Sequence, residues 1–418
     1  MLGDLRARLA RLGSAAEPAE GTASGPSSGS ESSLPFRLRA RDERAIRRAL
    51  DELPGRVLET PAGPVYLAST SFGASHRHGG AAIADAREAS AADLARIALD
   101  ESLESFRVDG AVFLDTETSG LSGGTGTIAF LIGIGRFDTD GSFVVEQLFV
   151  REPCEERAAL DFLAERLAAA SAIVSFNGKS FDVPLLKTRF VLSRLPPPRD
   201  CLHLDLLHPS RRLFKRRLSE CRLGSLESHV LGFVREGDIP GSMIPGIYQD
   251  FLVSGATSLL EAVFQHNVQD VVALPALLGV LGRACARPEG EHDLDRIGLA
   301  QIALRAGSAD EAERILGSIE AREGRHLYAN VLRRRGARAD AAAVWRGLLS
   351  SDPSDAEAHL ALAKHTEHVE RDPVRALEHA RAALGAEEAR AGEKRIARLM
   401  RKLAPEKPTA LPRAAARR

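Results

Sequence analysis

The chain contains few cysteines, and their positions exclude two common ways of stabilising a small domain. Four cysteines occur among 418 residues, and none forms a Cys-x-x-Cys pair. Structural zinc ribbons and disulfide frameworks both need clustered cysteines. Neither is therefore predicted, and the low cysteine content suits a reducing cytoplasm.

The chain also lacks an excess of one charge and a long apolar run. Its 56 Lys and Arg residues balance 57 Asp and Glu residues, so the formal net charge is −1. Contact with nucleic acid must then come from a local patch of the surface. No apolar stretch approaches membrane-spanning length, and the N-terminus lacks the apolar core of a signal peptide. These absences predict a cytoplasmic protein with no membrane partner.

The length suits two or three domains, and changes in composition indicate where they divide. We predict a short helix plus disordered linker over 1–34, a small β-containing subdomain over 35–105, an α/β domain over 106–288, helical repeats over 295–405 and a disordered basic tail over 406–418. The linker is rich in Ser, Gly and Pro, which favours flexibility.

The predicted N-terminal subdomain holds a helix over 42–53, a hairpin and a loop with two histidines. The segment Pro61-Ala62-Gly63-Pro64 supplies the turn of the hairpin. His76 and His78 stand two residues apart in the loop. They could bind a metal ion, but no third ligand is close in the sequence. This favours a structural or substrate-facing loop.

The central domain shows short apolar runs separated by turns and helical patterns. The runs lie at 111–114, 128–137, 143–150 and 172–176, with a weaker one at 201–207. The first three follow one another through short turns, which predicts a β-meander followed by βα units. Periodic patterns predict helices over 155–170 and 258–278. The predicted class is therefore α/β, with a mixed sheet flanked by helices.

From about residue 295 the composition changes to Ala, Arg, Leu and Glu with helical periodicity. The segment Gly307–Ala312 recurs as Gly336–Ala341. Paired helices that repeat about every thirty residues are typical of tetratricopeptide-like arrays. Such an array would recruit a protein partner or extend a path for nucleic acid.

Two acids follow the first apolar run of the central domain. Asp115 and Glu117 come directly after Ala111–Leu114 and should share one face of a strand, about 7 Å apart. Neighbouring acids repel each other and gain nothing from burial. A divalent cation reverses that balance, because hard cations prefer clustered oxygen ligands. The pattern predicts a metal site at a strand edge, and metal-assisted phosphodiester cleavage often needs such a cluster.

Three motifs resemble, in type and order, those of the DEDD superfamily of 3′→5′ exonucleases, which has the ribonuclease-H-like fold. They are Asp115-Thr116-Glu117, Asn177-Gly178-Lys179-Ser180-Phe181-Asp182 and His266-Asn267-Val268-Gln269-Asp270. The stretch DIPGSMIPGIYQDFL and the helical C-terminal region resemble a bacterial ribonuclease-H-like group typified by YprB-type proteins. The resemblance covers roughly residues 105–285.

The resemblance implies a metal-dependent 3′→5′ exonuclease that acts on single-stranded or frayed nucleic acid. Asp115, Glu117, Asp182 and Asp270 would hold two Mg²⁺ or Mn²⁺ ions, since carboxylates suit these hard cations. One alternative is a scaffold of the same fold that binds nucleic acid or protein, and another is an endonuclease. The motifs do not distinguish DNA from RNA, because both share the phosphodiester.

His266 stands four residues before Asp270, so both should lie on one side of a helix. It could accept a proton from the attacking water, since histidine titrates near neutrality. The histidine branch of the superfamily usually places four residues between its histidine and the last aspartate, whereas the tyrosine branch places three, as here. His266 thus takes the tyrosine position, and it could instead orient the water or be a packed residue.

Residues beside the three motifs are expected to contact the nucleotide. They are Thr118, Gly120, Asn177, Lys179, Phe181 and Asn267. Asn177 and Lys179 could equally be solvated loop residues, and the glycine-rich segment that begins at Gly120 could be an ordinary turn. Asp205 could be a supporting acid behind the metal ligands or an additional ligand. The basic run 211–217, with Phe214 inside it, predicts a phosphate grip with base stacking, or only a basic surface.

Overall fold

The structure, a computed structural model, describes residues 53–120 and 126–404. They fall into two compact units, with the boundary between Ala286 and Arg287. The predicted segments 1–34 and 406–418 lie outside the described residues, as does the predicted helix over 42–53 except for its last residue.

A seven-stranded sheet forms the centre of the first unit, and a two-stranded sheet lies apart from it. The strands are β1 Gly55–Thr60, β2 Gly63–Phe72, β3 Arg77–His78, β4 Ala81–Ala82, β5 Ala111–Thr118, β6 Ala129–Phe137, β7 Phe143–Phe149, β8 Ala172–Ser175 and β9 Leu202–Asp205. The large sheet has the order β1-β2-β7-β6-β5-β8-β9, and β3 pairs with β4.

The directions of the strands confirm the predicted mixed sheet. The chain runs antiparallel from β1 across to β5, whereas β8 and β9 are parallel to β5. The meander β5-β6-β7 is therefore followed by parallel strands that need helical crossovers. All four residues of Ala111–Leu114 are buried because β5 has a neighbour on each side and helices over both faces.

The hairpin predicted within 35–105 forms, but it does not make a separate subdomain. β1 pairs with β2, and β2 continues the main sheet by pairing with β7 from Tyr66–Phe149 to Phe72–Phe143. The apolar side chains of β2 therefore belong to the same core as the α/β region. The described residues from 53 onward share one compact unit with the central sheet.

Helices cover both faces of the sheet in the first unit. They are α1 Ala91–Ala98, α2 Glu156–Ala168, α3 Asp182–Leu192, α4 Leu207–Phe214, α5 Leu223–Leu226, α6 Ile244–Ser254 and α7 Leu260–Ala286, with a π-helical turn over Glu227–Leu231 after α5. One buried cluster joins Phe149 to α6 and α7, and a second joins Leu148 to α2 and α3. Adjacent residues of β7 point to opposite faces, so the two clusters lie on the two sides of the sheet.

The long helix α7 approaches the sheet closely because β6 carries two glycines. A Cβ atom on Gly133 would lie 2.4 Å from Oδ1 of Asn267 and 2.7 Å from Cγ2 of Val271. A Cβ atom on Gly135 would lie 2.7 Å from Cγ1 of Val271. Glycine within a strand often marks such a close approach. The contact fixes which residues of α7 face β5 and β6.

The expectation that no apolar stretch reaches membrane-spanning length needs correction. Helix α7 has 27 residues and is apolar enough to qualify by length and composition, although 78% of its most apolar window is buried inside the protein. Its apolar residues extend around the helix because it packs beneath the sheet and against other helices. The sequence analysis underestimated the length of this apolar segment because charged and polar residues interrupt the first half of α7.

The second unit is helical in its described part. Its helices are α8 Asp293–Arg305, α9 Ala309–Leu316, α10 Arg322–Arg334, α11 Arg338–Ser351, α12 Ala356–His365, α13 Pro373–Ala382 and α14 Ala389–Leu403. Each packs against the next along the chain, and Trp345 of α11 is buried between neighbours. The predicted helix-rich region is therefore present, and its tetratricopeptide-like character stays a prediction.

Candidate metal centre

Three side chains from two elements converge beside the centre of the sheet. Glu117 lies on β5, and His266 and Asp270 lie one turn apart on α7. One ligand atom from each lies within 4.8 Å of the others. Nε2 of His266 is 3.9 Å from Oε1 of Glu117 and 3.5 Å from Oδ2 of Asp270. Within residues 53–120 and 126–404, no other histidine, cysteine or acid group of three meets this spacing.

Asp115 lies beside this group and is held by helix α7. The side-chain amide of Asn267 donates a 2.8 Å hydrogen bond to Oδ2 of Asp115. Oδ1 of Asn267 accepts a hydrogen bond of the same length from Nε2 of Gln147, on β7. Asn267 is fully buried. The prediction that Asn267 contacts substrate is therefore corrected: its amide orients the Asp115 carboxylate.

Asp182 lies at the start of α3, where the chain leaves β8. Its Oδ1 atom accepts a hydrogen bond from the hydroxyl of Thr116, the residue between the two acids of β5. Gly178 allows the close approach of this turn, since a Cβ atom there would lie 3.1 Å from Oδ2 of Asp182 and 2.4 Å from Oγ of Ser175. Asp182 is outside the compact group of three, but its charge acts on Asp115 and Glu117.

Asp205 supports the loop that carries Asp182. It is buried at the end of β9 and accepts hydrogen bonds from the backbone N–H groups of Asn177 at 2.7 Å, Lys179 at 3.0 Å and Leu207 at 3.0 Å. Asn177 has a positive φ of 68°. Backbone donors thus occupy both carboxylate oxygens and stabilise the turn, and the supporting role of Asp205 stays a prediction.

The residues predicted to touch the nucleotide have different surroundings. Phe181 is 61% exposed next to Asp182. The Lys179 ammonium lies 3.3 Å from the Asp100 carboxylate in a half-exposed pair. The Thr118 hydroxyl donates to the carbonyl of Gly120 at 2.9 Å. Residues 121–125 of the glycine-rich segment lie outside the described residues.

Two other sequence hypotheses are resolved by the structure. Phe214 is 1% exposed, so it cannot stack on a base. Arg212, in the same basic run, donates to the carbonyls of Ile97 and Ala98 at the end of α1. His78 is buried and its Nε2 lies 2.7 Å from Oε1 of Glu227, which makes the histidine loop structural.

Arg235 and Asp238 complete the site, and sequence reasoning missed both. The Arg235 guanidinium donates to Oδ1 of Asp270 and to Oε2 of Glu227, the latter at 2.7 Å. Oδ1 of Asp238 lies 2.7 Å from Nδ1 of His266. This contact leaves Nε2 of the imidazole directed at Glu117 and Asp270. Both residues lie within the stretch REGDIPGS, whose clustered charges were the available signal.

Burial raises the pKa values of the three acids near β5. It holds the pKa of Asp115 well above its usual range, and the charges of Asp270, Glu117 and Asp182 add to this effect. Burial, and then the Asp270 charge, raises the pKa of Glu117 to about 8. Burial also raises the pKa of Asp182 to about 6, although the Thr116 hydrogen bond opposes it. Without a cation, Glu117 is therefore mostly protonated at neutral pH, whereas Asp182 is mostly ionised.

The histidine responds to the same charges in the opposite direction. Burial would lower the pKa of His266, but its hydrogen bond to Asp238 and the charges of Asp270 and Glu117 raise that pKa above its ordinary value. The imidazolium then offsets part of the negative charge. The raised pKa values of Glu117 and His266 both reflect the negative charge of neighbouring carboxylates, which a bound cation would offset.

The donor set fits a hard divalent cation. The side chains at the centre are carboxylates with one imidazole, and such ligands suit Mg²⁺ or Mn²⁺ better than softer metals. The raised acid pKa values have the sign expected when ligands are crowded to receive positive charge. Glu117, His266 and Asp270 are the residues whose ligand atoms lie close enough together to hold one ion, and Asp115 and Asp182 lie outside that group.

Comparisons with known proteins agree with this fold. The family model described as RNase_H superfamily matches residues 112–281. The uncharacterized protein YprB of Bacillus subtilis (strain 168) is 32% identical over 320 residues, which cover 72% of this chain and 77% of YprB. The ribonuclease H superfamily consists generally of nucleases, which bind nucleic acid and typically use divalent metals. The chain therefore belongs to the family of YprB and carries a ribonuclease H superfamily domain at its centre.

Proposed function

We propose that the chain is a metal-dependent 3′→5′ exonuclease that acts on single-stranded or frayed nucleic acid by two-metal phosphodiester hydrolysis. One observation carries the proposal. Glu117 of the first motif lies within 4.8 Å of His266 and Asp270 of the third motif, far away in the sequence, and a hydrogen bond from Thr116 connects Asp182 of the second motif to β5. Acids separated in sequence but crowded in space imply a common positive ligand.

The side chains divide the work of the reaction among them. Asp115, Glu117, Asp182 and Asp270 would hold two Mg²⁺ or Mn²⁺ ions, which supply the positive charge that stabilises the transition state. Asn267 keeps the Asp115 carboxylate turned toward the site, and Thr116 does the same for Asp182. Water would be the attacking nucleophile, and the P–O3′ bond would break.

His266 is placed to act on the proton of the attacking water. Nδ1 is occupied by Asp238, so Nε2 is the atom that can receive or orient a proton. Its raised pKa in the metal-free protein means that bound cations would have to lower it before it accepts a proton near neutrality. The Asp238 contact fixes the ring for either role.

The substrate would approach past the turn that precedes α3. Phe181 is exposed there and offers a ring on which a terminal base can stack. Lys179 is half-exposed on the same turn and can meet a phosphate if it leaves Asp100. We place the reaction in the cytoplasm and assign the helical unit to a protein partner or to the path of the nucleic acid.

The test uses oligonucleotides labelled at the 5′ end, in matched DNA and RNA sequences, with Mn²⁺ or Mg²⁺. We expect a ladder that shortens from the 3′ end, with none in EDTA. Asp115→Asn should abolish the ladder because it removes a ligand charge and keeps the shape of the side chain. Full activity in the variant, or no metal-dependent cleavage of any substrate, would reject the proposal.

Circular single-stranded DNA separates the exonuclease from an endonuclease. A circle has no end, so an exonuclease leaves it intact, and its cleavage would replace the proposal with an endonuclease. A protein that binds the oligonucleotides but cleaves none of them would support a scaffold of the same fold.

A further inference from the structure

Arg235 lies beside the acid group, and its hydrogen bonds of 3.4 Å or less all go to carboxylates, with one longer contact of 3.5 Å from Nη1 to Nδ1 of His266. Nε and Nη2 both donate to Oε2 of Glu227, at 2.8 and 2.7 Å, and Nη2 also donates to Oδ1 of Asp270. Nη1 lies 3.4 Å from Oδ2 of Asp238. The Arg235 side chain is only 10% exposed. Its donors therefore face inward, and its position is set by these acids.

Glu227 anchors the guanidinium from a fully enclosed position. Its side chain is 1% exposed, and its other oxygen, Oε1, lies 2.7 Å from Nε2 of His78. The His78 ring stacks against Phe233, with centroids 3.9 Å apart. The packed His78 ring therefore holds the Glu227 carboxylate in place, and Glu227 in turn holds the Arg235 guanidinium.

The histidine loop is itself locked to the π-helical turn that carries Glu227. The N–H of Gly80 donates to the carbonyl of Leu231 at 2.6 Å. Gly79 has a φ of +63°, and a Cβ atom there would lie 2.3 Å from the same carbonyl oxygen. Only glycine permits this approach and this backbone conformation. The loop and the turn therefore form one support behind Arg235.

Stability alone does not account for this arrangement. A buried ion pair is weak evidence for stability, because removing two charges from water costs as much as their attraction returns. A carboxylate that binds metal, in contrast, needs hydrogen bonds that hold its unused oxygen. Arg235 occupies Oδ1 of Asp270, whereas Oδ2 faces His266 at 3.5 Å.

We propose that Arg235, anchored by Glu227 and His78, is a positioning residue that fixes the Asp270 carboxylate for a divalent cation. This inference rests on the proposed function, since it concerns the same metal site. Arginine suits the role because its planar fork bridges two carboxylates, which the point charge of lysine does not reproduce. A direct contact between Arg235 and a substrate phosphate is the competing role, and its donors are already directed to acids.

The test measures Mn²⁺ affinity by calorimetry in wild-type protein, Arg235→Lys and the double variant E227M/R235M. The double variant removes both buried charges together, so it does not leave Glu227 buried without its partner. We expect the Kd for Mn²⁺ to rise about 10- to 100-fold in both variants. Cleavage should recover when Mn²⁺ is raised, with the KM for the oligonucleotide unchanged at saturating Mn²⁺.

Arg189→Lys is the matched control. Arg189 forms a comparably buried two-point pair with Glu156, with side chains 12% and 9% exposed, at 2.6 Å between Nε and Oε1. It lies seven residues beyond Asp182 on α3, about 10 Å along the helix. Its loss should leave the Kd for Mn²⁺ unchanged, so a general effect of losing a buried ion pair would be detected.

The outcomes separate the two proposals. If wild-type protein binds Mn²⁺ and Asp115→Asn does not, an unchanged Kd in both Arg235 variants overturns the positioning role alone. A raised KM with an unchanged Kd also overturns it and supports a phosphate contact instead. If wild-type protein binds no Mn²⁺, the metal-dependent function fails first.

Discussion

Nδ2 of Asn267 donates a 2.8 Å hydrogen bond to Oδ2 of Asp115 and thereby joins the long helix α7 to the central strand β5. Asn267 lies on the same helix as His266 and Asp270. Its hydrogen bond therefore sets the position of Asp115 on β5 relative to Asp270 on α7. Gln147 holds the same amide from β7. The positions of the acids therefore depend on the buried side-chain amides of Gln147 and Asn267.

Replacing Asn267 by leucine should destabilise the protein and weaken metal binding. The change leaves the Asp115 carboxylate without its donor and removes one acceptor of Gln147. Loss of one partner of a buried polar group costs about 1–3 kcal/mol. Urea unfolding in EDTA would measure the loss of unfolding free energy, and calorimetry would measure a weaker Mn²⁺ affinity. Unchanged stability and affinity would contradict the role given to Asn267.

The metal-free protein should lose stability as the pH rises from weakly acidic to weakly alkaline. The pKa of Glu117 is raised by burial from an ordinary 4.5 to about 8, and that of Asp182 to about 6. Between those limits the folded protein retains protons that the unfolded chain has released. Unfolding free energy therefore falls with rising pH through this window.

Divalent cations should remove that loss. A ligand that binds only the folded protein, at one hundred times its Kd, adds about 2.7 kcal/mol, equivalent to a rise in Tm of several degrees. Thermal unfolding at several pH values in EDTA and in saturating Mn²⁺ would test both statements. Glu117→Gln should flatten the pH profile in EDTA. A metal-free Tm that rises across the whole window would contradict the assignment.

The strands, the core helices and the acids were accessible from the sequence for physical reasons. Buried strands such as Ala111–Leu114 are continuous apolar runs, and the periodic pattern over 258–278 predicted most of α7, which ends at Ala286. Asp115 and Glu117 were informative because neighbouring acids at the end of a buried strand repel each other unless a cation binds between them. The fold class followed from the order of these elements, since short turns and crossovers restrict the possible topologies.

The supporting residues were not accessible, because their partners are distant in the sequence. Arg235 meets Asp270 across 35 residues, and Gln147 meets Asn267 across 120. No periodic pattern in the sequence indicates which of these distant residues form a pair. Asn267 was assigned to substrate because it stands within a motif, and its full burial shows that motif membership does not reveal which side of a helix a residue faces. The separate subdomain was expected because strand pairing between β2 and β7 leaves no local signal.

Gly133→Ala should push α7 away from the sheet. The new Cβ atom would lie 2.4 Å from Oδ1 of Asn267 and 2.7 Å from Cγ2 of Val271, both in packed surroundings. Overpacking of this kind typically costs about 1–3 kcal/mol. Because α7 carries His266 and Asp270, the Mn²⁺ affinity should fall as well.

Gly246→Ala is the control for that substitution. Gly246 lies in helix α6, and a Cβ atom there would meet no atom within 4 Å. The substitution should stabilise the protein by about 0.5–1 kcal/mol, since alanine is the better helix former. Denaturant unfolding of both variants gives the two signs directly. Equal effects of the two substitutions would show that the close approach of α7 carries no energetic weight.

Phe181→Ala should affect substrate binding and leave folding and metal binding unchanged. The ring is 61% exposed, so its removal should change the unfolding free energy by less than about 0.5 kcal/mol. Stacking of one base on an aromatic ring contributes about 1–3 kcal/mol. The KM for a single-stranded oligonucleotide should therefore rise roughly 5- to 100-fold, with the Kd for Mn²⁺ unchanged. Val191→Ala, at an equally exposed position of α3, should leave the KM at its wild-type value. A KM that is unaffected by Phe181→Ala would place the terminal base elsewhere and would leave the acids of β5 and α7 as the only supported part of the site.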